Sequence, residues 1–244
     1  MEATHLPGSY DVEKSAERID EILNAGSGNF SDSDTVPKRD KLTFSNGFYT
    51  NVTALFIDMV SSSDMTDVHT RPVLAKIYRS FLSETVAIMN GCEKCCEINI
   101  QGDCVWGVYD TPLKENINMA FSVAARLHSL IKIINYKLTK KGYSTIAVGI
   151  GLDYGRALMV KAGYKGSEIN DVIWMGDVVN NACHIANFAG REGYLPIVMS
   201  KVFYDNLNED NKKLCSEFYK NWETFYQSNA INILMDKWYN DNCG

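Results

Sequence analysis

The sequence predicts an α+β fold of the ferredoxin-like βαββαβ type, with an extra hairpin and an N-terminal helix. Residues 52–57 are rich in β-branched and aromatic residues, which is typical of a buried strand. Segments with helical apolar spacing then alternate with strand-type segments, in the order strand, helix, hairpin, helix, strand. This order predicts one sheet with helices on one face, leaving the other face for a ligand and a second copy of the domain.

The first strand ends in an acid followed by small hydroxyl residues. Asp58 comes directly after residues 52–57, and Ser61 and Ser62 follow it within four positions. Small hydroxyl residues suit a turn into a helix N-terminus, where free backbone N–H groups and the helix dipole attract phosphate. The pattern indicates a phosphate-binding turn beside a carboxylate.

A second acid lies at the tip of a predicted hairpin. Residues 97–100 and 104–109 are strand-type, and the turn between them ends in Asp103. If the two strands neighbour the first one, Asp58 and Asp103 converge, and two close carboxylates repel unless a cation or proton separates them. Hard oxygen ligands favour magnesium or manganese, with nucleotide phosphates completing the shell. Asp58 alone is better explained as an ordinary loop or capping acid, and only the pair of acids favours a metal site.

The remaining elements follow from periodicity and turn residues. Apolar spacing predicts helices at residues 10–23, 72–90, 113–138, from 177 onward and 203–222. Strand-type segments are residues 146–152, 156–165, 171–175, 196–199 and 230–238, with a turn at 166–168. On the helix that starts near residue 177, Asn180 and His184 share a face distinct from the apolar one.

Two units are predicted. Residues 1–40 contain the N-terminal helix and a polar linker rich in Gly, Ser and Asp, and residues 41–240 form the catalytic domain. The sequence does not indicate which surface the helix covers, its own domain's or that of a partner subunit.

Composition narrows the class of protein. The 244 residues carry a net charge of −6, which argues against nucleic acid or an anionic membrane as the main partner. No apolar run approaches the ~20 residues of a membrane span, and no signal peptide is evident in residues 1–30. Seven scattered cysteines fit free thiols in a reducing compartment. A cytoplasmic location is therefore expected.

Three motifs together resemble the class III nucleotide cyclase domain: FIDMV, INIQGD and WMGDVVNNA. The resemblance covers roughly residues 45–200. It implies that Asp58 and Asp103 hold two divalent metal ions, Mn²⁺ or Mg²⁺, with the backbone carbonyl of Met59 as a further ligand. It also implies that Asn180 steadies the ribose in the transition state.

The same resemblance implies a reaction and an assembly. Class III cyclases convert a nucleoside triphosphate into a 3′,5′-cyclic monophosphate and pyrophosphate, at sites shared between two domains arranged head to tail. One chain provides the metal ligands and phosphate-binding amides, here those at Ser61 and Ser62, and the other provides the Asn. A single domain of this kind has to form a homodimer.

Four positions depart from or extend the family pattern. His184 stands where the family has a transition-state Arg, and Arg191 is a substitute from the following turn. Asn99 and Ile173 stand where adenylyl cyclases place Lys and Asp and guanylyl cyclases place Glu and Cys. Neither purine specificity is therefore supported.

A narrower resemblance concerns the pyrimidine cyclases of the bacterial anti-phage Pycsar system. It rests on VNNACHIANFAG, the RIDEIL helix and Tyr49 before the first strand. It implies cyclic UMP or cyclic CMP as product, read by a separate effector that kills the infected cell. Asn99 can satisfy either pyrimidine edge by turning its amide over, and Tyr49 is a candidate wall for the base.

Two alternatives stay open at this point. One is a purine cyclase with unusual base contacts. The other is a catalytically degenerate domain that binds nucleotide or dimerises, which the missing Arg at His184 motivates. Retention of Asp58, Asp103 and Asn180 favours an active enzyme.

Overall fold

The computed structural model describes residues 10–165 and 169–243. In this part of the chain the strands are β1 (Phe30–Asp32), β2 (Gly47–Met59), β3 (Cys95–Gln101), β4 (Cys104–Asp110), β5 (Val148–Gly163), β6 (Asn170–Met175), β7 (Ile197–Ser200), β8 (Cys215–Lys220) and β9 (Glu223–Ser228). The helices are α1 (Val12–Leu23), α2 (Met65–Val68), α3 (Arg71–Asn90), α4 (Lys114–Thr139), α5 (Asp177–Phe188), α6 (Lys201–Asp205), α7 (Glu209–Lys212) and α8 (Ile233–Cys243). The predicted α+β class is confirmed.

All the described strands belong to one mixed sheet. Its main path runs β3-β4-β2-β5-β7-β9-β8, while β1 pairs with β2 and β6 pairs with β5. The central strand β2 is antiparallel to both β4 and β5, and β5 is parallel to β7. A side chain at the end of β2 is thus flanked by strands on both sides.

The two faces of β2 bury different cores. Leu55, Ile57 and Met59 pack with α3 and α4, whereas Ala54 and Phe56 belong to a second core that includes residues of α5. Because side chains alternate along a strand, Asp58 shares a face with Ala54 and Phe56. The carboxylate of Asp58 therefore lies on the α5 side of the sheet.

The expectation that helices cover only one face is wrong, because α5 packs on the opposite face from α3 and α4. Glycines on β5 make this possible. An added Cβ at Gly151 would lie 2.2 Å from the Ala182 carbonyl oxygen, and one at Gly149 would lie 2.4 Å from that of Ala186. Both distances are too short for any side chain, so glycine is required for this helix to lie so close to the sheet.

The two predictions for the C-terminal region are wrong. Residues 203–222 were expected to be one helix but contain the end of α6, then α7 and β8. The helix does not continue because Asn208 acts as the N-cap of a new helix, α7. Residues 230–238 were expected to be a strand but lead into α8, where the Asn232 side chain accepts a hydrogen bond from the Met235 amide at 3.0 Å. The closing strands are β8 and β9, joined by a turn with positive φ at Asn221 and Trp222.

The predicted strands 146–152 and 156–165 are one continuous strand, β5. It pairs with the whole length of β2, from Val148 opposite Met59 to Val160 opposite Gly47. Its second half also pairs with β6, as the predicted hairpin requires. The turn expected at residues 166–168 lies outside the described residues.

The segment before β2 contacts the sheet. Phe30 to Asp32 pairs in parallel with the start of β2, and Arg39 forms an ion pair with the buried carboxylate of Glu97. Helix α1 leaves its apolar residues exposed, Val12 at 68% and Leu23 at 76%. The division at residue 40 stays a prediction.

Helix α4 is long and apolar enough to cross a membrane by length and composition alone, the only such helix in the described ranges. Most of its apolar window is buried in the protein. Ile117, Phe121 and Leu127, each at most 2% exposed, belong to the core under the sheet. Its hydropathy therefore reflects a core helix.

Candidate active site

The first acid lies where β2 ends between its neighbours. Asp58 pairs across from Gly149 of β5 and is half-buried, with 22% of its side chain exposed. Its position on the α5 face follows from the alternation along β2. The sheet therefore fixes the position of this carboxylate.

The second acid lies at the tip of the β3–β4 hairpin. Gly102 adopts φ +65° in this tip, a conformation that glycine adopts without strain. Since Ile57 pairs with Val105, the tip residue Asp103 comes level with the end of β2. Burial raises the pKa of Asp58, and the negative charge of Asp103 raises it further. The structure thus brings the two predicted acids together.

The third element of the site is a basic residue from the turn after α5. Arg191 Nη2 donates to Asp58 Oδ2 at 2.8 Å and to the Met59 carbonyl at 3.2 Å. This contact lowers the pKa of Asp58, against the effects of burial and of Asp103. Sequence reasoning identified Arg191 as an alternative to His184, but its partners are the candidate metal ligands of its own chain.

The turn after β2 lies where it was expected, but it does not lead directly into a long helix. Ser61 has φ +53°, and residues Ser62–Asp64 form a 3₁₀ turn leading into the four-residue helix α2. The Ser61 carbonyl accepts from the Asp64 amide at 3.1 Å. The predicted amides therefore sit on a tight turn, and the long helix α3 begins only at Arg71.

The candidate residues of α5 face away from the sheet. Asn180 and His184 are exposed, while Val178, Ala182 and Ile185 are buried beneath them. His184 lines a groove of about 370 Å³ together with Ser200, Lys201 and Thr224, which lie on α6 and the neighbouring strands. Neither acid lines this groove. We call Asp58, Met59 and Asp103 the acid half and Asn180 and His184 the α5 half.

Asp153 is a buried acid that sequence reasoning missed. It is 4% exposed and accepts hydrogen bonds from Asn181 Nδ2 at 3.2 Å, from the Tyr154 amide at 2.8 Å and from the Ser200 hydroxyl. Burial raises its pKa, and these donors oppose the rise. Asp153 therefore ties α5, next to Asn180, to the sheet. The available signal was an acid inside the apolar strand GIGLDYG.

The base-position residues Asn99 and Ile173 lie on elements that are tied together. Asn99 is half-buried on β3, and Ile173 is 43% exposed on β6. Next to Ile173, Trp174 Nε1 donates to the buried carboxylate of Glu97 at 3.4 Å. Glu97 lies two residues before Asn99, so this bond joins the two strands near both positions.

Tyr49 does not belong to the acid half of its own chain. It precedes Asp58 by nine residues on one strand, about 30 Å of extended chain. Its ring lies instead under the guanidinium of Arg156, 4.1 Å from ring centroid to carbon. The role of Tyr49 as a wall for the base stays a prediction, and nine residues of β2 separate it from Asp58 of its own chain.

Fold and acid pair define a class: a mixed α+β domain that gathers two carboxylates at the end of its central strand, with a helix carrying exposed polar groups on the same face. Residues 45–220 match the adenylate and guanylate cyclase catalytic domain. The chain belongs to this family of nucleotide cyclases.

Relatives and solved structures agree with this assignment. The chain is 36% identical to a uridylate cyclase of Treponema porcinum, over 95% of this chain and 81% of that protein. It is 37% identical to a uridylate cyclase of Gulbenkiania mobilis, over 99% and 100%. The adenylyl cyclase CyaB from P. aeruginosa has the same fold, with a TM-score of 0.64 at 16% identity over 77% of this chain and 98% of that one.

Cyclases of this family generally use divalent metal ions, and the donor set here fits them. Asp58, Asp103 and the Met59 carbonyl offer hard oxygens, and Arg191 already places a cation on two of these groups. Burial raises the pKa of the adjacent Cys104 thiol to about 12, which keeps this soft ligand protonated. No cluster of three His, Cys, Asp or Glu occurs within residues 10–165 and 169–243.

Proposed function

We propose that the protein is a pyrimidine nucleotide cyclase that converts UTP, or less favourably CTP, into the 3′,5′-cyclic monophosphate and pyrophosphate. The convergence of Asp58 and Asp103 at the end of β2 is the observation that carries the reaction type. The two relatives named uridylate cyclase support the base and favour UTP. Asn99 and Ile173, in place of the purine-reading pairs, agree with this choice.

The reaction is an internal displacement. The 3′-hydroxyl gives up its proton to water, its oxygen forms a bond to the α-phosphorus, the bond from that phosphorus to the bridging oxygen breaks, and pyrophosphate leaves. Two divalent ions, Mn²⁺ or Mg²⁺, supply charge neutralisation and activation of the hydroxyl when bound. The chain's own residues hold the reacting groups in line, which is most of what phosphoryl transfer demands of a protein.

The proposed roles divide between the acid half and the α5 half. Asp58, Asp103 and the Met59 carbonyl hold the ions, and the amides of Ser61 and Ser62 receive the phosphates. On the other half, Asn180 orients the ribose. His184 donates a hydrogen bond to the α-phosphate oxygens as negative charge develops there.

A homodimer is part of this proposal. Asn180 and His184 are exposed on α5 and do not share a groove with the acids of their own chain. A head-to-tail second copy supplies them to the acid half, so that two composite sites form. Tyr49 remains a candidate wall for the base in this arrangement.

Base recognition is assigned to Asn99. Its amide offers both a donor and an acceptor to the Watson–Crick edge of a pyrimidine. Ile173 offers an apolar surface where purine cyclases place a polar reader. The bond between Trp174 and Glu97 holds the two strands in place for this task.

The proposed setting is a bacterial cytoplasm, in which the cyclic nucleotide activates a separate effector during phage infection. The resemblance of VNNACHIANFAG and RIDEIL to Pycsar cyclases supports this role. The net charge of −6 agrees with a small-molecule substrate rather than a nucleic acid partner.

The deciding experiment incubates the purified protein with each of UTP, CTP, ATP and GTP in Mn²⁺ or Mg²⁺ and separates the products by chromatography. Cyclic UMP should accumulate fastest, and the Asp103→Asn variant should form none above background. Efficient turnover of ATP or GTP with both pyrimidines poor would overturn the base assignment. Absence of any cyclic product in a folded dimer would overturn the reaction.

A further inference from the structure

Arg191 makes four hydrogen bonds that join the end of α5 to the acid half. Besides Asp58 and Met59, its Nη1 donates to the carbonyl oxygens of Ala186 at 2.9 Å and Ala189 at 3.2 Å. The guanidinium is half-buried, with 24% of the side chain exposed. One planar cation thus bridges helix-end carbonyls to both an acid and a carbonyl of the metal site.

The backbone around Arg191 is fixed by its own turn. Gly190 and Glu192 both have positive φ, +66° and +52°. The Gly190 amide donates to the Leu195 carbonyl at 3.0 Å, and the Arg191 carbonyl accepts from the Tyr194 amide at 2.9 Å. The guanidinium is therefore presented to Asp58 by a closed loop rather than reaching it from a mobile one.

The neighbouring strand leaves room for this contact. A Cβ at Gly149 would lie 2.9 Å from Arg191 Nη1, so a side chain there would push the guanidinium away. Gly149 pairs directly with Asp58. The glycine thus opens the path from the α5 turn to the acid.

We propose that Arg191 is the resident counter-ion of the metal site: it pairs with Asp58 until the triphosphate binds, and so keeps divalent ions weakly bound to the nucleotide-free protein. Two carboxylates alone would carry a charge of −2, and Arg191 reduces it to −1. Arginine is always protonated, so this cation cannot leave by losing a proton. A bound triphosphate restores the negative charge that divalent ions require.

This inference rests on the proposed metal role of Asp58 and assigns Arg191 to its own chain's acid half. It replaces the interpretation of Arg191 as a transition-state cation delivered with Asn180. The difference is measurable without turnover, because a counter-ion competes with metal in the absence of substrate.

The test is a titration of nucleotide-free dimer with Mn²⁺, followed by the electron paramagnetic resonance signal of free Mn²⁺. Arg191→Gln should bind Mn²⁺ at least tenfold more tightly than the unmodified protein. Arg191→Lys keeps the charge and should stay within about threefold. Lys213→Gln removes the same charge from an exposed ion pair with Asp210 and should change nothing.

A second titration adds 3′-deoxy-UTP, which binds but lacks the reacting hydroxyl. The analogue should increase Mn²⁺ affinity strongly in the unmodified protein and at least tenfold less in Arg191→Gln. Equal nucleotide-free affinity in these two proteins would overturn the counter-ion role while leaving cyclase activity in place. If neither binds Mn²⁺, or Asp58→Asn binds it equally well, both this inference and the metal role of Asp58 fall.

Discussion

The end of β2 and the outer face of α5 present opposite kinds of surface, although α5 packs against that same face of the sheet. Asp58 is half-buried and already paired with Arg191, which also donates to the Met59 carbonyl and to carbonyls at the end of α5. On α5, Asn180 and His184 are exposed. The acid half is therefore partly enclosed and already contains an ion pair, whereas the α5 half is an exposed polar surface.

The contrast has a physical origin. An acid beside a second acid needs a counter-charge inside the same chain to be stable before ligands arrive. An amide or imidazole exposed to water needs none. A chain that folds first and dimerises later can therefore leave the α5 half exposed to water but has to neutralise charge in the acid half. Substitutions in the two halves should therefore differ in their effects.

The largest effect is expected at the acid half. Asp103→Asn should lower turnover about a thousandfold or more, since it removes a metal ligand. Because it also relieves repulsion with Asp58, the melting temperature should stay unchanged or rise. Turnover is measured with UTP and Mn²⁺, and folding by circular dichroism. Near-normal turnover at saturating Mn²⁺ would remove Asp103 from the mechanism.

The next effect tests whether the halves meet across two chains. Mixing inactive Asp103→Ala with inactive Asn180→Ala in equal amounts should restore about one quarter of the intact sites, because half the dimers are mixed and each has one undamaged site. The activity of the mixture is followed after subunit exchange, monitored with differently tagged chains. Exchange without recovery would show that each chain works alone.

A smaller effect is expected at His184. His184→Ala should lower kcat roughly tenfold to a hundredfold with little change in KM, since the imidazole acts on charge that develops in the transition state. His184→Arg restores the family residue, whose guanidinium is always charged. The variant should therefore turn over at least as fast as the unmodified protein. An unchanged kcat in His184→Ala would exclude His184 from this role.

The smallest effect concerns the anchor of α5. Asp153 has a raised pKa, so the folded state holds its proton to higher pH than the unfolded state, and its contribution to stability falls as pH rises above the ordinary value of 3.8. The free energy of unfolding of the unmodified protein minus that of Asp153→Asn should therefore fall with rising pH. Urea titrations between pH 4 and pH 8 measure it, and a flat difference would contradict the assignment.

Local patterns predicted the acid half well. The strand before Asp58 and the Gly102–Asp103 tip are short-range signals, and they predict the convergence of the two acids that the structure has. The C-terminal strands β8 and β9 were missed because their aromatic residues also fit a helical stripe, while Asn208 and Asn232 act as caps only in context.

Contacts distant in sequence could not be predicted. Arg191 and Asp58 are 133 residues apart, and their contact depends on how closely α5 approaches the sheet. That approach was encoded by Gly149 and Gly151, but a glycine in a strand also fits a bulge or a bend. Tyr49 was assigned to the base pocket by resemblance to a family. The structure shows that Tyr49 and Asp58 lie near opposite ends of one continuous strand, β2.

The ion pair between Arg39 and Glu97 limits how the chain can be shortened. Glu97 lies on the edge strand β3, two residues before Asn99, with only 2% of its side chain exposed, and its cation comes from the segment assigned to the N-terminal linker. Cutting at residue 40 would leave a carboxylate enclosed without its charge partner, which proteins tolerate poorly. A shortened chain that keeps this ion pair has to retain Arg39.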